Sequence, residues 1–128
     1  MKVLLDTNAL IWWMEDNPRL GPKAKSVLAR PENNIIATIV SIWEITIKWR
    51  VDKYPFCGSR YITFLCDEDV TLLGVLPEHI TALESLPMHH KDPFDHLIVA
   101  QAMVEGAKII TSDAVMAQYG IGCINADG

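Results

Sequence analysis

The 128-residue sequence predicts a three-layer α/β/α fold around a central parallel β-sheet, and three observations carry that prediction. Short aliphatic or β-branched runs alternate with segments of helical length from one end of the chain to the other. Residues that cap helices stand where the runs stop, as Asp6-Thr7-Asn8 and Ser112-Asp113 do. Proline and glycine punctuate the junctions. Strands separated by helices pair in parallel, with helices covering both faces of the sheet.

The elements follow in order. Lys2 to Leu5 reads as a strand, and Ala9 to Met14 as a helix, apolar nearly all round and closed by Asn17-Pro18. Pro22 suits the first position of a second helix, whose Ala24, Val27 and Leu28 form one stripe among Lys23, Lys25 and Arg30. Asn33-Asn34 reads as a turn and Ile35 to Thr38 as a buried strand. Ser41 to Arg50 is rich in β-branched residues, yet its length favours a helix. Ser59 to Cys66 reads as a short helix with Tyr61, Ile62 and Leu65 on one face. Val70 to Leu76 is another aliphatic run, and Pro77 opens a helix through Leu86. Asp92 and Pro93 take the N-cap and first position of the next helix, with Asp95 at the third. Gly106 is placed as its C-cap. Lys108 to Thr111 reads as a strand, Asp113 to Gly120 as a last helix, and Ile121 to Ile124 as a final strand.

The length corresponds to one domain spanning residues 1–128. Half the residues are hydrophobic and 21% charged, a folded composition. No apolar run is long enough to cross a bilayer, and Met1 to Asp6 meets an acid too soon for a signal peptide, so a cytoplasmic protein with no membrane partner is expected. Three cysteines without Cys-x-x-Cys spacing suggest neither a disulfide framework nor a zinc site. A net charge of −5 argues against binding nucleic acid through a broad basic surface, but acids grouped to hold a metal are compatible with a nuclease.

The chemistry lies in the acids. Asp6 and Asp113 stand at carboxyl ends of strands, where open parallel sheets place their functional crevice. Asp95 opens a helix that starts on the same side. Glu44 is the only charged side chain between Ile39 and Ile47, in a helix that must be largely buried, where an unpaired carboxylate is costly. Taken singly, Asp6, Asp92, Asp95 and Asp113 are helix caps, and Glu44 is one half of an i,i+4 pair with Lys48. Taken together, Asp6, Glu44, Asp95 and Asp113 form a set whose repulsion a divalent cation would answer. Oxygen-only ligands suit Mg²⁺ or Mn²⁺, which activate water for attack on phosphodiesters.

The chain resembles the PIN-domain ribonucleases, and within them the VapC toxins of bacterial toxin–antitoxin pairs. Leu4-Leu5-Asp6-Thr7-Asn8-Ala9-Leu10 is similar to the family's opening strand and first acid, and Ser41-Ile42-Trp43-Glu44-Ile45 to its second. His90-Lys91-Asp92-Pro93-Phe94-Asp95 with Leu97 to Ala102 resembles its most distinctive block, and Ile110-Thr111-Ser112-Asp113 its last acid. The resemblance implies a PIN-like fold, a Mg²⁺- or Mn²⁺-dependent endoribonuclease acting on RNA, a toxic role, inhibition by a cognate antitoxin protein, and a homodimer. It assigns the metal ligands as Asp6, Glu44, Asp95 and Asp113, leaving Asp92 as a cap. By the same resemblance Thr7, Asn8 and Thr111 or Ser112 would orient ligands. His96 stands where relatives usually carry Arg, and partly replaces it if protonated. None of His79, His89, His90 and His96 is assigned to catalysis, the last three being expected at the surface or as caps. Lys48, Arg50, Lys53 and Arg60 fit an RNA path or a solvated face. Trp12, Trp13 and Met14 exceed what one helix face buries, so part of the group is expected to form an apolar groove or dimer surface. The alternatives are a non-catalytic PIN-like interaction module, and a response-regulator receiver, in which Glu44 has no part.

Overall fold

The structure, a computed structural model, describes residues 1–89 and 91–128. Its strands are β1 (Lys2–Leu5), β2 (Asn34–Thr38), β3 (Thr71–Leu73), β4 (Lys108–Thr111) and β5 (Cys123–Asn125). They form one sheet in the order β3-β2-β1-β4-β5, every neighbouring pair parallel. β1 is central because it is the most apolar: Val3, Leu4 and Leu5 are all buried. Its register sets Leu4 beside Ile36 on one side and Ile109 on the other. The Asp6 N–H donates to the Ile110 carbonyl at 3.1 Å, carrying the β1–β4 ladder to the first acid.

Six α-helices, α1 (Thr7–Met14), α2 (Pro22–Ala29), α3 (Ile39–Arg50), α4 (Gly58–Asp67), α5 (Pro77–Glu84) and α6 (Pro93–Glu105), and a 3₁₀ helix (Ala114–Tyr119) complete the described residues. Alternation along the strands divides the core between two faces. Val3, Leu5, Ala37 and Ile110 pack under α1, α2 and α4 through Leu10, Ala24, Tyr61 and Leu65. Leu4, Ile36 and Ile109 pack against Ile98, Val99 and Ala102 of α6 and against Met116. Each fully buried aliphatic side chain contributes about 1.5–3 kcal/mol.

The caps fall as expected. Asp6 accepts from the Ala9 N–H at 2.8 Å, Asp92 from Phe94 N–H at 2.9 Å, and Asp113 from Val115 N–H at 2.9 Å. Gly106 closes α6 in the left-handed region at φ 65°, which an L side chain rarely adopts. Four expectations are corrected. Asn34 belongs to β2, because its N–H donates to the Met1 carbonyl and starts the pairing. α3 begins directly after β2 rather than at Ser41, since Thr38 ends the strand and caps the helix, accepting from Val40 N–H at 3.1 Å. β3 uses only Thr71–Leu73 of its aliphatic run, and Val75 and Leu76 are exposed. Ile62 is exposed while Tyr61 and Leu65 are buried, because one residue along a helix turns a side chain about 100° away. Among the described residues no helix is long and apolar enough to cross a membrane.

A buried polar chain fixes α5 and α6 against the β2–α3 junction. The Thr38 hydroxyl donates to Gln101 Oε1 at 2.5 Å, and Gln101 Nε2 donates to the Gly74 carbonyl at 3.1 Å. His79, fully buried, accepts the Leu76 N–H at Nδ1 over 3.0 Å, so its proton sits on Nε2, facing Glu105 at 3.2 Å.

Candidate metal centre

The acids approach one another because the elements that carry them meet at the carboxyl end of the sheet. β1 delivers Asp6, which is 5% exposed, and the first turn of α1 delivers Thr7 beside it. α3 carries Ser41 and Glu44 on its inner face, both buried. The Thr7 hydroxyl donates to Glu44 Oε1 at 2.7 Å and lies 3.0 Å from the Ser41 hydroxyl. Lys48, one turn further along α3, donates to Glu44 Oε2 at 2.8 Å. Both readings of Glu44 therefore meet in one residue: it is buried as a site acid would be, and the i,i+4 ion pair with Lys48 is formed. The Lys48 pKa is raised: burial lowers it, and the Glu44 carboxylate more than offsets that.

α6 contributes Asp95 and β4 leads to Asp113, both half-buried. Asp92 caps α6, reaching the Asp95 N–H at 3.4 Å as well as that of Phe94. Thr111, buried at the end of β4, accepts the Asp113 N–H at 3.0 Å and hydrogen-bonds the Asp6 carboxylate.

The charges of these acids are felt mutually. Burial pushes the Asp6 carboxyl up to about 6, opposed by its bonds to Thr111 and Ala9 and reinforced by Asp113 and Glu44. Burial pushes Asp95 up to about 8, with Asp92, Asp6, Glu44 and Asp113 adding to it. In the conformation seen, no three His, Cys, Asp or Glu side chains among the described residues are gathered closely enough to hold a metal ion together. The donor chemistry nevertheless fits one: the four acids offer oxygen ligands alone, and burial disfavours the negative charge of Asp6 and Asp95 until a cation answers it.

Other candidates distribute unevenly. Asn8 is exposed and Ser112 half-buried, while Thr7 hydrogen-bonds Glu44 and Thr111 hydrogen-bonds Asp6. His96 is buried, not a surface group, because its ring sits at the start of a helix packed on the sheet and faces Tyr119 edge-on at 6.3 Å. His89 is exposed, and His90 lies outside the described residues. Arg50, Lys53 and Arg60 are exposed, and the Arg60 guanidinium lies 4.1 Å over the Phe56 ring. Trp12 is buried, whereas Trp13 and Met14 are only partly so; Met14 lines a groove of about 550 Å³ with Glu15, Phe56, Arg60, Phe64 and Asp67, which contains none of the four acids. A smaller cavity of about 200 Å³ is lined by Thr111, Ser112 and Asp113. Sequence reasoning missed Ser41; its spacing three residues before Glu44 on one helical face was the available signal.

The sequence model of the PIN domain matches residues 3–122. Solved structures share the fold at low identity. The VapBC2 complex of Rickettsia felis, bound to a DNA fragment from its promoter, superposes with a TM-score of 0.77 at 16% identity, covering 99% of this chain and 100% of that one. VapBC-1 of nontypeable Haemophilus influenzae gives 0.69 at 19%, with 100% of both chains covered. A toxin–antitoxin complex of Klebsiella pneumoniae gives 0.65 at 17%, with 97% of both covered. Among curated proteins no sequence matches.

Proposed function

As the chain belongs to the PIN-domain family, we propose that it is a divalent-metal-dependent endoribonuclease, the toxin of a VapBC-type toxin–antitoxin pair, built as one domain and acting in the cytoplasm. What supports the reading is that Asp6 and Asp95, at the carboxyl end of the sheet, are both pushed up by burial and both feel the charges of Glu44 and Asp113. Those four residues would hold Mg²⁺ or Mn²⁺. When bound, the ion supplies activation of water and neutralisation of charge developing at an RNA phosphodiester.

The chain's own groups prepare the site. Thr7 fixes one oxygen of Glu44, and Thr111 orients Asp6 while tying down the Asp113 backbone. Asp92 spends its carboxylate on the α6 cap, which leaves Asp95 to face the other acids from the positive end of the helix dipole. A cognate antitoxin and a homodimeric state belong to the same proposal, supported for the first by structural neighbours that are VapBC and toxin–antitoxin complexes and for the second by the family resemblance. The test is Mg²⁺-dependent cleavage of RNA by purified wild type and Asp6→Asn. Cleavage by the wild type that the variant loses is expected; equal cleavage by both would end the reading, and no cleavage by the wild type would favour a non-catalytic module.

A further inference from the structure

Glu44 is nine-tenths buried or more, and an ionised carboxylate in such a place needs compensation. Two side chains donate to it: Thr7, itself buried, and Lys48. The two donors differ in what they can do next. Thr7 is locked at the start of α1 and brings no charge. Lys48 brings a full charge on a flexible four-carbon stem, its side chain is 36% exposed, and the Tyr54 ring lies 5.4 Å from its Nζ as a second face for a cation.

We infer that Lys48 is the built-in counter-ion of the acid cluster, a positioning residue whose ammonium holds Glu44 in place and is exchanged for the divalent cation when that cation binds. The inference rests on the metal-centre reading. The two donors keep Glu44 oriented before the ion arrives, so at Glu44 itself loading exchanges a tethered amine, which departs towards solvent and Tyr54. The exchange replaces one positive charge by two beside acids that repel one another. It also sets a threshold, because the entering ion competes with an ammonium that cannot diffuse away.

Two measurements on the full chain test this, neither of them enzymatic. In calorimetric titration with Mn²⁺, Lys48→Met is expected to bind about fivefold more tightly than wild type, the scale of one half-exposed ion pair, while Lys48→Arg binds as wild type does. In reductive methylation followed by mass spectrometry, Lys48 of the wild type is expected to react about threefold faster, on the same ion-pair scale, in saturating Mn²⁺ than in chelator, with Lys53 unchanged. The methylation result stands alone should Lys48→Met fail to fold. Mn²⁺ binding without any change in Lys48 reactivity, or with equal or weaker affinity in a folded Lys48→Met, overturns the exchange and leaves the metal centre standing. A wild type that binds no Mn²⁺ overturns both.

Discussion

Replacing Asp6 by asparagine separates what the site does for stability from what it does for chemistry. Asp6 is pushed up from 3.8 to about 6, first by burial. The neutral carboxyl therefore favours the native state: that advantage is complete below pH 3.8 and is lost as pH rises through about 6. At about 1.4 kcal/mol per pH unit, the ionised Asp6 penalises the native state by about 3 kcal/mol at neutral pH in the absence of divalent ions. Asparagine keeps an acceptor for the Ala9 N–H and the Thr111 hydroxyl, and caps as well as aspartate does. Its amide adds donors, which Glu44 and Asp113 can only partly satisfy, so a net gain of about 1–2 kcal/mol remains. The assay is urea unfolding in chelator at pH 4 and pH 7.5. Asp6→Asn is expected to be more stable than wild type at pH 7.5 and nearly equal at pH 4, while Mn²⁺ stabilises the wild type alone. A variant no more stable than wild type at pH 7.5 in chelator would refute the claim that this carboxylate is held under electrostatic stress.

Further outcomes follow from the same geometry. Asp92→Ala removes the α6 cap and should cost about 1 kcal/mol in urea unfolding, with Mn²⁺ affinity by calorimetry retained. Gln101→Leu leaves the Thr38 hydroxyl and the Gly74 carbonyl without this partner inside the fold and should cost about 2–4 kcal/mol by the same unfolding assay. Gly58→Ala would press a methyl against Thr46 and Ile42 where α4 meets α3, and should lower stability by about 1–3 kcal/mol in thermal unfolding.

The parts of the fold that the sequence displayed are those governed by neighbours in the chain. Asp6, Asp92 and Asp113 cap the elements they precede, and Gly106 and the two N-terminal prolines of α2 and α6 stand where backbone geometry demands them. The Glu44–Lys48 pair was legible because an i,i+4 spacing on a helix fixes who meets whom. What stayed hidden depends on distant partners. Nothing local in Thr38 announces a bond to Gln101 sixty-three residues away, nor in His79 that packing of α5 on α6 would bury it completely. The same reason misplaced His96: a histidine after Pro93 reads as exposed until α6 is laid on the sheet. For the site, the identity of the acids was readable from strand ends and from a carboxylate inside an apolar helix. Their mutual electrostatics, the hydroxyls of Thr7 and Thr111 that hold them, and the Ser41 hydroxyl beside Thr7 needed the fold.

Cleavage of a short labelled RNA, measured side by side for wild type, Asp95→Asn and Asp92→Asn in Mg²⁺ and in chelator, tests the central claim most directly. The two acids lie three residues apart on one helix start, so the comparison isolates the site from its cap. Mg²⁺-dependent cleavage that falls by about a hundredfold or more in Asp95→Asn and persists in Asp92→Asn is the expected result. Equal loss in both variants, or cleavage that ignores chelator, would contradict it.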